Sequence, residues 1–214
     1  MLAAAAAGRF PPADGATDLT APDAAGTRAA VAFSGHAYVL ADVDRAELSA
    51  RLAAADGAGG GFGGVHHPTV LSLLADAGGR WRTGTVDVVL VRRPGGGETV
   101  APATLVRRDD LGDHPRVARA LAHRREVVVL ADDVGLASIG RGLVGRCEVS
   151  VELFDPESAS PGAGRRLLAG ALRTLPADEP VWAQVAAGNA RSLRAFLAAG
   201  FVPVASEVLL VRDR

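Results

Sequence analysis

The sequence predicts a mixed α/β fold, a twisted mixed sheet with helices on its faces, and three observations carry that expectation. Short Val- and Leu-rich runs of strand length recur along the chain, segments with apolar residues at helical spacing separate them, and turn residues punctuate most junctions. A chain of 214 residues, 49% of them apolar, has material for one compact domain or two small ones with a sizeable core.

Taken in order, residues 1–28 combine Ala, Gly, Pro and Asp without sustained periodicity and read as a loosely ordered arm. Ala29–Phe33 and His36–Ala41 read as strands around Ser34-Gly35, and Asp44–Ala54 carries Leu48 and Leu52 at helical spacing. Gly57–Gly64 is a glycine loop; Pro68 suits the first turn of a helix over Pro68–Ala77; Thr85–Val91 alternates as a strand. Residues 29–92 thus form a β-β-α-α-β block, closed by an Arg92–Glu98 linker whose Pro94–Gly97 core favours a turn.

The second block, residues 100–214, is denser in such signals. Strand Ala103–Arg107 and helix Pro115–His123 come first, then strands Glu126–Ala131, Leu136–Gly140 and Arg146–Phe154. Helix Gly162–Thr174, strand Val181–Val185, helix Ala190–Ala199 and strands Phe201–Pro203 and Glu207–Val211 complete it. Antiparallel strands followed by alternating helices and strands predict a mixed sheet flanked by helices.

Composition excludes several chemistries. All 23 basic residues are arginine, so no lysine is present to form a Schiff base or to grip phosphate in a P-loop. Asn, Gln, Ile, Tyr, Met and Cys each occur once, the imprint of a GC-rich bacterial coding sequence. The lone Cys147 can form neither an internal disulfide nor a Cys-based metal site, which fits a reducing cytoplasm. Met1–Gly8 lacks a basic flank and makes a poor signal peptide, and no run is long enough to span a bilayer. A net charge of −1 and 4% aromatic residues leave no footprint for nucleic acid.

Two glycine runs match a dinucleotide pattern, which needs a strand before it and a helix after it, but Gly59–Gly64 follows a helix and Gly140–Gly145 leads into a strand, so both read as turns. His66, His67 and His114 lack partners at ligand spacing and sit at helix starts, and Asp132-Asp133 suits a hairpin turn; no metal site is expected. The segment Gly162-Ala163-Gly164-Arg165-Arg166-Leu167-Leu168 is different, because its glycines lie between a strand and an amphipathic helix. Unpaired amides and the positive end of the helix dipole suit a pyrophosphate there, and Arg165 and Arg166 add charge.

Downstream, Val181-Trp182-Ala183-Gln184-Val185 is followed by Asn189, the helix Ala190–Ala199, then Gly200-Phe201 and a further strand. This order resembles the GCN5-related N-acetyltransferases, the GNAT superfamily, over roughly residues 100–214. The resemblance implies a GNAT-like acyl-CoA N-acyltransferase fold with acetyl-CoA as co-substrate. It further implies that backbone groups of Val151, Leu153 and Phe154 line the pantetheine, that the loop Ala159–Gly164, with Gly162, Ala163 and Gly164, cradles the pyrophosphate beside Arg165, and that Asn189 contacts the pantetheine arm with Ser192 close by. The chain departs from the family pattern at Ala159, where a basic or amide residue is usual, at Pro161, and at Phe196, where many members carry a tyrosine that protonates the leaving thiolate. Residues 1–99 lie outside the resemblance; their order suggests either a degenerate, truncated copy of the fold or a private extension.

Acetyl transfer needs a neutral amine, donors for the developing oxyanion and a route for protons. Backbone N–H groups of Arg146–Phe154 are the expected oxyanion donors. Glu148 and Glu152 lie at even spacing on one face of that strand, and either suits a general base; Cys147 points to the other face and reads as a core residue. The expected function is transfer of an acetyl group from acetyl-CoA to a primary amine of a small molecule or peptide. A non-catalytic acyl-CoA-binding module is the alternative, ahead of a purely structural domain. Neither nucleic acid nor membrane is an expected partner, and family habit makes a homodimer through sheet edges plausible.

Overall fold

A computed structural model describes residues 1–55, 63–79, 81–95 and 100–212. Its elements are α1 (Leu2–Ala6), β1 (Thr17–Thr20), β2 (Arg28–Phe33), β3 (His36–Leu40), α2 (Arg45–Ala54), α3 (Pro68–Asp76), β4 (Trp81–Thr83) and β5 (Asp87–Arg92). There follow β6 (Val106–Arg107), α4 (Pro115–His123), β7 (Arg125–Ala131), β8 (Gly135–Arg141), β9 (Cys147–Leu153), α5 (Ala163–Leu172), β10 (Val181–Ala186), α6 (Ala190–Ala198) and β11 (Val202–Arg212). The chain divides into two compact units, Met1–Val89 with Val204–Arg214, and Leu90–Pro203. The C-terminal strand therefore belongs largely with the first unit rather than with residues 100–203. Most of the glycine loop after Ala55 and half of the Pro94–Gly97 turn lie outside the described residues.

In the first unit β2 and β3 form a hairpin in register from Ala29↔Leu40 to Phe33↔His36. Its Ser34-Gly35 turn requires a positive φ, and Gly35 supplies one at 81°. Asp44 caps α2 by accepting from the Glu47 amide, and Pro68 opens α3, whose Val70, Leu73 and Leu74 join Val39, Leu48 and Leu210 in one core.

The arm expected over residues 1–28 is ordered instead: α1 buries Leu2, Ala5 and Ala6, and β1 pairs parallel with β3. Tertiary pairing made structure where local periodicity was silent. The short strand β4, unpredicted, pairs antiparallel with β11. The two expected C-terminal strands are one continuous strand, because Pro203, which lacks an N–H, stands next to its exposed first residue, well before the β2 pairing that begins at Ser206.

The second unit carries the sheet order β10-β9-β8-β7-β6, with β9 parallel to β10 and the other pairs antiparallel. The mixed α/β class is thus as predicted. Helix α4 buries Val117 against Val129, Ala131 and Leu136. Helix α5 sinks Leu167 and Leu168 completely. Each such side chain contributes about 1.5–3 kcal/mol, which outweighs the roughly 1 kcal/mol that each glycine in a helix costs. The position of the α5 N-terminus is therefore set by its apolar face, leaving its first turn free for other work.

Candidate functional site

The site begins where two strands part. β9 pairs with β8 along its whole length, from Gly135↔Leu153 to Arg141↔Cys147. On its other side it pairs with β10 only at Val181↔Cys147 and Trp182↔Glu148. Beyond Val149 the burial of β9 falls from complete to partial, and every second backbone amide is released from the ladder. A cleft of about 1220 Å³ opens there, lined by the end of β9, the loop 156–162, the start of α5 and one face of α6. Val151, Leu153, Phe154, Gly162, Ala163, Gly164, Arg165, Asn189 and Ser192 all line it.

The loop into α5 is held by its own residues. Asp155 accepts from the Glu157 and Ser158 amides, and Arg166 donates to the Pro161 carbonyl at 3.1 Å and to Ser160 Oγ at 2.6 Å. Arg166, expected to contact phosphate, instead braces the loop that precedes it. Gly162 adopts φ 82°, a left-handed conformation that glycine takes at no steric cost, and its carbonyl accepts from the Arg165 and Arg166 amides. The Gly162 and Gly164 amides donate to no group among the described residues. The Arg165 guanidinium lies beside Gly162, where a Cβ would stand 3.4 Å from it, and it has no acidic partner among the described residues. Unpaired amides, a helix N-terminus and an unneutralised guanidinium together favour an anion.

Across the cleft Asn189 caps α6, its Oδ1 accepting from the Ser192 amide at 3.0 Å. The amide nitrogen of the same side chain stays available at the cleft wall. Phe196 also lines the cleft and packs edge-on against Phe201, ring centroids 5.0 Å apart. Sequence reasoning missed Arg191 and Arg194, which line the cleft beside Asn189 and Ser192. Their spacing of three on α6 was a readable signal. It also missed Arg116, brought in from α4, for which no local signal exists.

Glu148 and Glu152 share one face of β9, as expected, but meet different fates. Glu148 is buried, with 2% of its side chain exposed, 2.8 Å from Arg124 Nε and 2.7 Å from Arg146 Nε, and it accepts from Gln184 Nε2 at 2.8 Å. A Cβ on Gly142 would collide with its carboxylate, so the turn between β8 and β9 is glycine of necessity. Burial alone would raise its pKa, but the charges and hydrogen bonds of Arg146 and Arg124 outweigh that and hold it below the usual carboxylate range. It does not line the cleft. The expectation of Glu148 as a base is therefore corrected: it is a weakened base locked away from the open end of the strand.

Glu152 does line the cleft and accepts from Arg116 Nε at 2.7 Å, with both side chains about one-third exposed. An ion pair of this exposure is worth about 0.2–1 kcal/mol and opens readily.

The remaining motifs resolve as local structure. His67 and His114 cap α3 and α4 through ring nitrogens, and His66 faces the Ala30 carbonyl at 3.1 Å. Asp132 accepts from the Val134 and Gly135 amides in the β7–β8 turn. Within Gly140–Gly145, Gly140 and Arg141 end β8 and Gly142–Gly145 form a turn closed by the Gly142 amide on the Arg146 carbonyl. Burial pushes the Cys147 thiol up, which leaves it an inert core group. No cluster able to hold a metal ion occurs among the described residues, and no described helix is long and apolar enough to cross a membrane.

No family model matches the chain, and no curated protein matches it in sequence. Solved structures do. The chain is similar to GNAT-family acetyltransferases. A protein from Novosphingobium aromaticivorans assigned to that family is 21% identical over 63% of this chain and 68% of its own, with a TM-score of 0.42. A GCN5-related N-acetyltransferase from Kribbella flavida is 18% identical, covering 70% and 66%, with a TM-score of 0.41. An acetyltransferase of the GNAT family from Colwellia psychrerythraea is 9% identical, covering 83% and 76%, with a TM-score of 0.43. Likenesses of this size concern architecture, and the functional reading rests on the cleft.

Proposed function

We propose that the second unit belongs to the GNAT superfamily and transfers an acetyl group from acetyl-CoA to a primary amine. The observation that carries the reading is the parting of β9 and β10 beside a glycine loop with unpaired amides and the unneutralised Arg165. The pyrophosphate fits the Gly162 and Gly164 amides, where the left-handed φ of 82° at Gly162 favours glycine. Val151 and Leu153 present backbone groups to the pantetheine, Phe154, whose amide is taken by the Val134 carbonyl, lines the cleft beside them, and Asn189 and Ser192 meet it from α6. Acetyl-CoA supplies the activated acyl group; the chain supplies position and charge.

Amides of β9 released from pairing donate to the oxyanion that develops on the thioester carbonyl. Glu152 accepts a proton from the incoming ammonium, directly or through water, and the neutral amine attacks. The new C–N bond forms as the C–S bond breaks, and the second amine proton leaves to the thiolate or to water. With Phe196 in place of a hydroxyl, no side chain at that position protonates the thiolate, and a coenzyme A thiolate leaves tolerably without one.

Phe196 also motivates the second reading, a module that binds acyl-CoA without turning it over. Calorimetry with coenzyme A together with thiol release across a panel of amines separates the two. Binding with release supports the transferase; binding without release, unchanged in Glu152→Gln, supports the module; no binding at millimolar coenzyme A overturns both.

A further inference from the structure

The geometry points to a zwitterionic acceptor, a free α-amino acid whose carboxylate is held by Arg116 and whose ammonium is held by Glu152. This inference deepens the acetyl-transfer reading and rests on it for the reaction, though not for the binding. The two residues stand at the same cleft, on α4 and at the end of β9, with opposite charges 2.7 Å apart. Their contact uses Arg116 Nε and Glu152 Oε2, and among the described residues neither side chain makes another hydrogen bond. Both guanidinium Nη groups and Glu152 Oε1 are left for a ligand.

A guanidinium presents paired donors that match a carboxylate. A carboxylate oxygen beside it matches an ammonium. An α-amino acid carries both complementary poles on neighbouring atoms, at a separation like that between the protein's own pair, so it satisfies both without leaving a charge unpaired. A simple amine meets Glu152 but leaves Arg116 without its share, and a peptide N-terminus has its carboxylate too far away to help. The arrangement also favours the order of events. The acceptor carboxylate draws Arg116 away from Glu152, which leaves Glu152 free to take the ammonium proton. Phe154, edge-on to His114 with ring centroids 6.0 Å apart, supplies an apolar wall beside the pair.

Saturation-transfer NMR on the full chain tests this without relying on turnover. The probes are the proteinogenic α-amino acids, each compared with its own α-amide and its decarboxylated amine. At least one amino acid is expected to bind about tenfold more tightly than both of its analogues, and Arg116→Gln is expected to erase the difference while Arg116→Lys restores part of it. Equal binding of acids, amides and amines, or a preference that survives Arg116→Gln, overturns the inference. Circular dichroism of the half-exposed variants confirms that they fold. Coenzyme A calorimetry on the same sample reports separately on the acetyl-transfer reading: coenzyme A bound with no preference for amino acids removes only this inference. A zwitterion preference without coenzyme A binding keeps the site and removes the reaction.

Discussion

The two ends of β9 carry the same residue type on the same face and do opposite things. At its start Glu148 is sealed between Arg124 and Arg146, in the short stretch where β9 and β10 still pair. Four residues on, after the strands part, Glu152 sits in a cleft with one easily opened partner. The difference teaches that strand pairing, rather than residue type, decides which carboxylate is structural and which is available for chemistry. A closed ladder strips water and demands full charge pairing; an open one leaves backbone donors and solvent access.

The comparison breaks if the first carboxylate proves dispensable. Glu148→Gln leaves two buried guanidiniums without their counter-charge, and a loss of about 3–5 kcal/mol is expected, a fall in Tm on the order of 10 °C by calorimetry. The pH dependence has a definite sign. Because the folded pKa of Glu148 is depressed, its stabilisation is complete above the ordinary carboxylate range and is lost as pH falls through the lowered folded value. Wild type should therefore lose stability more steeply than Glu148→Gln below about pH 4.5.

Glu152→Gln should do the reverse. Stability changes little, while turnover with saturating amine falls on the order of a hundredfold. A large drop in Tm would place Glu152 with Glu148 and remove the contrast. Arg165→Ala removes the unneutralised cation at the glycine loop and should weaken coenzyme A about tenfold in calorimetry, without touching Tm. The smallest effect is expected at Asn189→Ala, where the lost cap on α6 costs about 1 kcal/mol in denaturant unfolding. Any further loss of coenzyme A affinity there reports the role of the free side-chain nitrogen.

What could be read from the sequence followed the range of the interaction. Helices α3 to α6, the Ser34-Gly35 hairpin, the turn at Gly142 and the cleft-lining run from Gly162 to Arg165 depend on neighbours within a few residues, and spacing exposes them. The shared face of Glu148 and Glu152 was legible for the same reason. Their separate fates were not, since Arg124 is 24 residues from Glu148 and Arg116 is 36 from Glu152. β1 and β4 were missed likewise, because pairing with β3 and β11, and not their own composition, makes them strands. Pro203 misled in the other direction by suggesting a break that the exposed start of β11 tolerates.

The central claim is that the open end of β9, and not its closed end, receives coenzyme A. Titrating coenzyme A into isotopically labelled protein and following backbone amide shifts tests it directly. The account predicts saturable shifts at Val151, Gly162, Gly164 and Ser192, with Gly142, Cys147 and Glu148 unmoved. Shifts centred on the Glu148 cluster, or none at millimolar ligand, would contradict it.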